Sequence, residues 1–249
     1  MKTLDYIYHS GFALETEKVN VIIDYYKDSS ESAHGQGLVH ERLLRDPRRL
    51  YVLATHFHPD HFNPEVLAWK ALHPDIRYIF SKDILKHKRA AAEAATYLRK
   101  GECYEDDCLR IEACGSTDVG SSFLIHLGDC LVFHAGDLNN WHWSETSTEQ
   151  QIRKADGDFL AELAYVKEKA PAVDLALFPV DRRMGGDYMK GARQFVGQIK
   201  TAVFVPMHFG EDYAGGNAFR EEAEKAGCRF LSISRRGESF PCFGQCPAH

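Results

Sequence analysis

The chain has 249 residues, 44% of them hydrophobic and 27% charged, enough to bury a sizeable core as one domain spanning 1–249. Thirty Lys and Arg against thirty-six Asp and Glu leave a net charge of −6, which disfavours a broad nucleic-acid footprint. No apolar run approaches the ~20 residues of a membrane span, and the opening Met1–Asp5 lacks the apolar stretch of a signal peptide.

In chain order, the opening reads as strands: Leu4–Tyr8, Phe12–Glu15 and Val19–Asp24, broken by Ser10-Gly11 and Glu17-Lys18. A charged stretch leads to the apolar run Tyr51–Ala54, short enough for a buried strand. A helix is expected over Glu65–Leu72, entered at Asn63-Pro64 because Pro is tolerated at the first helical position. Ile76–Phe80 reads as a strand, and the Lys/Ala/Glu-rich Ser81–Arg99 as a helix stopped at Gly101. Strands follow at Cys108–Glu112, Ser121–His126 and Cys130–His134, the last two joined through Gly128-Asp129 as a hairpin. A long helix spans Glu149–Lys169 and ends before Pro171. Strands Leu175–Pro179 and Ala202–Pro206 flank a helix near Gly191–Ile199, and a helix (Phe219–Ala226) and strand (Arg229–Ile233) close the pattern. Strands then helices in each half fit an αββα sandwich, two sheets with helices outside. A doubly wound sheet fits less well, because no Gly-x-Gly-x-x-Gly follows the first strand.

Seven cysteines, an odd number, read as reduced thiols of a cytoplasmic protein. Thirteen histidines ask for more explanation, because imidazole is the commonest metal ligand. His56-Phe57-His58-Pro59-Asp60-His61 packs four metal-competent side chains into six residues after an apolar strand. His56 and His58 share one face of an extended segment, and the turn at Pro59 sends Asp60 and His61 elsewhere, which suits two adjacent ions. Imidazole and carboxylate fit Zn, Mn or Fe. Asp24, Asp137 and His208 each follow an apolar strand, where a rigid scaffold presents functional side chains.

Together, His56-x-His58-x-Asp60-His61, Asp24, Gly136-Asp137 and His208 resemble the metallo-β-lactamase superfamily of hydrolases. The opening His9-Ser10-Gly11-Phe12 resembles its L-ascorbate-6-phosphate lactonase-like subgroup. The resemblance implies two divalent ions, most simply Zn with Mn or Fe as alternatives. It assigns His56 and His58 to one ion, Asp60, His61 and His208 to the other, Asp137 to both, and Asp24 to orienting the histidine loop. One family histidine is missing, since the corresponding stretch is Cys114-Gly115-Ser116-Thr117-Asp118. Asp118 is the nearest metal-competent substitute, the alternative being a turn residue.

The activity implied is hydrolysis, with Asp60 and His208 as catalytic residues and metal-activated water cleaving an ester, lactone, amide or phosphodiester bond. A mononuclear non-haem iron oxygenase is the alternative, since two His and one carboxylate also describe such sites; a phosphodiesterase or ribonuclease is another. The expected partner is a small molecule, anionic or neutral, with no membrane; net charge disfavours nucleic acid without excluding it, and self-association is compatible with the sequence. His9 faces substrate or is structural, Trp141-His142-Trp143 walls a pocket or packs, and His134 packs beside the site. Asp181-Arg182-Arg183 reads either as an anion contact or as a solvated charge run, and Cys242 and Cys246 as a weak metal motif.

Overall fold

The structure is a computed structural model that describes residues 1, 3–30 and 36–241. It contains two seven-stranded mixed sheets. In the first, β1 (Thr3–Tyr8), β2 (Gly11–Glu15) and β3 (Val19–Ile23) form an antiparallel meander, and β4 (Arg49–Ala54), β5 (Ile76–Ser81) and β6 (Thr96–Leu98) continue it in parallel. The second runs antiparallel through β7 (Cys103–Glu105), β8 (Arg110–Cys114), β9 (Ser122–Leu127) and β10 (Cys130–His134). It turns parallel through β11 (Ala172–Pro179), β12 (Lys200–Met207) and β13 (Arg229–Phe230). A last strand, β14 (Ser239–Pro241), returns to pair with β1. The helices are α1 (Leu38–Glu41), α2 (Lys82–Lys86), α3 (Glu149–Lys169), α4 (Lys190–Gln198), α5 (Tyr213–Asn217) and α6 (Arg220–Lys225). This is the expected αββα sandwich.

Alternation along the strands builds the layers. Leu4 and Tyr6 of β1 face the large core between the sheets, with Phe123, Phe133 and Phe178 of the second sheet. Ile7, Ala13, Val52 and Phe80 face outward, under Leu43, Val66 and Trp69. The hairpin at Gly128 pairs Leu127 with Cys130. Helix α3 matches the expected span: Thr148 and Gln151 form a reciprocal capping box at its start, and the chain leaves it at Ala170, before Pro171.

Two expectations need correction. Glu65–Leu72 is a 3-10 helix, Pro64–Ala71, whose entry is held by the Asn63 side chain accepting from the Glu65 N–H. Ser81–Arg99 is not one helix: α2 stops at Lys86, Lys88 takes φ 54°, and Thr96–Leu98 adds β6 to the sheet. The buried Asp83 is committed to the Phe57 N–H, and Tyr97 donates to Ala91 O, so tertiary contacts override a Lys/Ala/Glu composition. Among the described residues no helix is long and apolar enough to cross a membrane. Cys103, Cys108, Cys114, Cys130 and Cys228 form no disulfide; Cys242 and Cys246 lie outside the described residues.

Candidate metal centre

Each donor is delivered by the chain just beyond a strand. Sheet one contributes His9 from the β1–β2 turn, Asp24 after β3, and His56, His58, Asp60 and His61 after β4. Sheet two contributes Asp118 between β8 and β9, Asp137 after β10, Asp181 after β11 and His208 after β12. Among the described residues five non-glycine residues have positive φ, and His9, Asp24 and His208 are three of them. Backbone strain at strand ends is thus concentrated where these side chains converge. Two glycines let the halves meet: a Cβ on Gly120 (φ 75°) would lie 2.2 Å from Thr55 O, and one on Gly136 (φ 53°) 2.8 Å from the Thr55 side chain.

The donors form two groups, each with one ligand atom per residue within 4.8 Å of the rest: His56, His58, Asp118 and Asp137, then His9, Asp60, His61 and His208. Asp137 faces both, with Oδ2 3.4 Å from His56 Nε2 and Oδ1 3.1 Å from His61 Nε2 and 3.3 Å from His208 Nε2. The Asp118 carboxylate reaches the first group, 3.4 Å from His58 Nδ1, from a turn in which the Asp118 N–H donates to Ser116 Oγ. All seven expected ligand residues therefore come together.

Hydrogen bonds outside the groups fix which nitrogen points in. His61 Nδ1 donates to Asp24 Oδ2 at 2.7 Å and His208 Nδ1 to Asp181 Oδ2 at 3.0 Å, leaving both Nε2 lone pairs inward. Thr55 Oγ1 donates to Asp24 Oδ2 and lies 3.1 Å from His56 Nδ1, so one buried carboxylate orients two imidazoles. Asp181 was missed as an orienting group by sequence reading. It is buried, and Arg183 chelates it, so it is no solvated charge run. The only sequence signal was its place at a strand end. His134 packs as expected: Nε2 donates to Ser10 O and Nδ1 accepts from the Gly136 N–H.

Burial alone would raise Asp137 and lower His61, but their mutual attraction outweighs it. Asp137 is held well below the ordinary carboxylate value, and His61 is pulled well above the ordinary imidazole value by Asp137 and Asp24. His56 goes the other way, lowered to about 3 by burial and by the neighbouring His61. Burial would also raise Asp60, but the His9 ring facing it at 3.3 Å and the neighbouring His61 bring it well below normal. Meanwhile His61 Nε2, His208 Nε2 and Asp137 Oδ1 are buried without a well-formed hydrogen bond. Buried imidazole and carboxylate atoms that converge this way suit a cation, which would take the place of the proton that the raised His61 ring holds toward Asp137. The donor set, imidazole and carboxylate with no thiolate, fits a divalent ion such as Zn, Mn or Fe.

Two cavities open beside the donors. One, about 380 Å³, is lined by Tyr8, His9, Tyr26, Asp60 and Arg183 among others. The second, about 320 Å³, is lined by Asp118, Asp137, Trp141, Trp143, Arg183 and His208 among others. Trp141 and Trp143 stack 6.0 Å apart, and the Trp141 indole donates to Asp137 O, so these rings wall the pocket.

Known proteins carry the same architecture. Igni18, a metallo hydrolase from Ignicoccus hospitalis, superposes with a TM-score of 0.67 at 20% identity, covering 98% of this chain and 99% of that one. CmlA, a diiron β-hydroxylase from Streptomyces venezuelae, gives 0.67 at 13% identity over 97% of this chain, which spans 54% of that longer protein. The UPF0173 protein PYRAB01190 of Pyrococcus abyssi is 25% identical over 225 residues, 87% of this chain and 88% of that protein. A family model, the beta-lactamase superfamily domain, matches residues 3–208. That match takes in both donor groups up to His208, and through it the chain belongs to the metallo-β-lactamase superfamily of metal-dependent hydrolases.

Proposed function

We propose that the protein hydrolyses an ester, lactone, amide or phosphodiester bond in a small anionic molecule, using two divalent ions, Zn in the simplest case. The observation that carries this reading is the pair of donor groups sharing Asp137, with Nδ1 protons of His61 and His208 tied outward. His56, His58, Asp118 and Asp137 would hold one ion, and Asp60, His61 and His208, with Asp137 beside them, the other. Ions bound there would supply Lewis acidity toward the scissile group and water.

The chain's own residues do the rest. Asp60, partly exposed at the mouth and held ionised, accepts a hydrogen bond from the attacking water and orients it. His208 keeps its inward lone pair because its ring proton sits on Nδ1, where it donates to Asp181 Oδ2. Trp141 and Trp143 exclude bulk water from one side. Cavities of about 320 and 380 Å³ suit a small molecule better than a nucleic-acid strand. Arg183, on both cavities, favours an anionic substrate. The His9-Ser10-Gly11-Phe12 resemblance makes a lactone a substrate class to test early.

One observation favours a second reading. With Asp118 in place of an imidazole, the first group holds two His and two carboxylates, a set that also suits redox-active iron. An anaerobic assay on reconstituted protein separates the two. Turnover of ester, lactone and phosphodiester probes is expected to persist without oxygen and to return to metal-stripped protein with Zn²⁺ or Mn²⁺. Dependence on both iron and O₂ would overturn hydrolysis.

A further inference from the structure

His9 has the opposite polarity from the imidazoles around it. Its Nδ1 accepts the Gly210 N–H at 3.1 Å, so its ring proton resides on Nε2. The rest of the residue is pinned as well: the His9 N–H donates to the Tyr6 hydroxyl at 2.9 Å, and the His9 carbonyl accepts the His208 N–H at 3.1 Å. These bonds hold a left-handed backbone, φ 59°, at a site nine-tenths buried. The Nε2 atom alone is unspent. It has no well-formed hydrogen bond and lies 3.3 Å from Asp60 Oδ2.

A nitrogen that carries a proton cannot ligate a metal, and a ring that also gave up Nε2 would be an imidazolate facing Asp60. His9 therefore sits among donors of the second group without having a lone pair to offer them. What it offers is an N–H, preorganised on the wall of the 380 Å³ cavity. Arg183 stands on the same wall, its Nε and Nη2 held by Asp181 and its side chain two-thirds exposed.

We propose that His9 is not a metal ligand but a fixed N–H donor that, with Arg183, binds an anionic oxygen of the substrate in the Tyr8/Tyr26 cavity. The assignment builds on the hydrolase reading for the word substrate, while the polarity of the ring stands without it. Two stacked phenol rings, Tyr8 and Tyr26 at 5.8 Å, line the cavity, with Lys27 Nζ 4.8 Å from the Tyr26 centroid and the Arg236 guanidinium 3.7 Å from that of Tyr8. These cations lie against the tyrosine rings beside the cavity, Arg236 also paired with Glu211, and suit the same charge on the ligand.

The test uses full-length protein labelled with ¹⁵N-histidine, before and after Zn²⁺ loading, with inorganic phosphate as the probe. The His9 ring is expected to keep a bare Nδ1 and a protonated Nε2 in both states, and its Nε2–H resonance to shift with phosphate. His9→Phe should keep the wild-type number of metal ions per chain and bind phosphate about ten-fold or more weakly, the loss of one charge-assisted hydrogen bond. His9→Gln, whose amide can place an N–H near the same point, should recover part of that affinity. A ligated Nε2 after Zn²⁺ loading, or one ion fewer in His9→Phe, would overturn the assignment. So would phosphate affinity that is absent in the wild type or unchanged in His9→Phe. The ring measurement needs no variant, so it stands if His9→Phe fails to fold. Should no Zn²⁺ bind at all, the hydrolase reading falls while the ring polarity is still read directly.

Discussion

His61 and Asp118 stand at opposite ends of the range of order found in the two donor groups. The His61 ring is fully buried, its Nδ1 bonded to a carboxylate that is itself buried and bonded to the Thr55 N–H and hydroxyl. Asp118 sits on a turn with 41% of its side chain exposed, and burial plus the facing Asp137 raise its pKa, so its charged form is less favoured. A ligand already fixed loses little freedom on binding, whereas Asp118 must be ordered by the ion. His61→Ala is therefore expected to lose more tightly held metal than Asp118→Ala, by at least ten-fold in affinity for the weaker ion. Elemental analysis after dialysis against a competing chelator measures it. The ranking is wrong if Asp118→Ala empties both groups while His61→Ala keeps its metal.

At the level of elements, the sequence was most readable where a strand ran into a polar residue. Val21–Ile23 before Asp24 and Val203–Met207 before His208 announced both the strand and its site residue, because apolar runs bounded by one charged side chain have few other uses. The stretch 81–99 misled because its composition favours helix while the edge of β5 offers Thr96–Leu98 a ladder. Composition cannot see an unpaired edge. Asp181 was half legible: its position was visible, but its tie to His208 spans 27 residues. Asp5 went unread for the same reason. It lies on the outer face of β1 beside Glu15 of β2, under Arg42 and bonded to Ser239 of β14. Burial, then the Glu15 carboxyl, push Asp5 up to about 6, while Glu15 moves down as its hydrogen bond with Asp5 and the two arginines outweigh its own burial. Between roughly pH 4 and 6 the folded chain thus binds more protons at Asp5 than the unfolded chain does, and stability there falls as pH rises. Asp5→Asn mimics the protonated acid. Its stability relative to wild type should improve by on the order of 2 kcal/mol from pH 4 to pH 7 in urea melts. A difference that stays flat or declines would show that the pair carries its charge without cost.

Across the whole molecule, the candidate centre lies where the two sheets are tied together. Histidines of the β4 loop come from one sheet, and Asp137 and His208 from the other. Backbone bonds already cross this seam, from the Ser121 N–H to Thr55 O and from the His208 N–H to His9 O. Ions bound by both sides would add to them, and the folded state alone presents the donors in this arrangement. Mass action then requires metal to stabilise the fold: at a free concentration 100 times Kd, each ion contributes about 2.7 kcal/mol. A domain of this size shifts its melting temperature by roughly 2–4 °C per kcal/mol, so each ion should raise it by about 5–11 °C. Scanning calorimetry of chelator-treated protein, with and without Zn²⁺, measures that rise. His208→Ala, which removes a donor of the second sheet only, should shorten the rise by about half, since the first group keeps its four residues. Asp137→Asn should shorten it further, because that carboxylate faces both groups. A full rise in Asp137→Asn would mean that the stabilising ions bind elsewhere, and the seam would then be held by protein contacts alone.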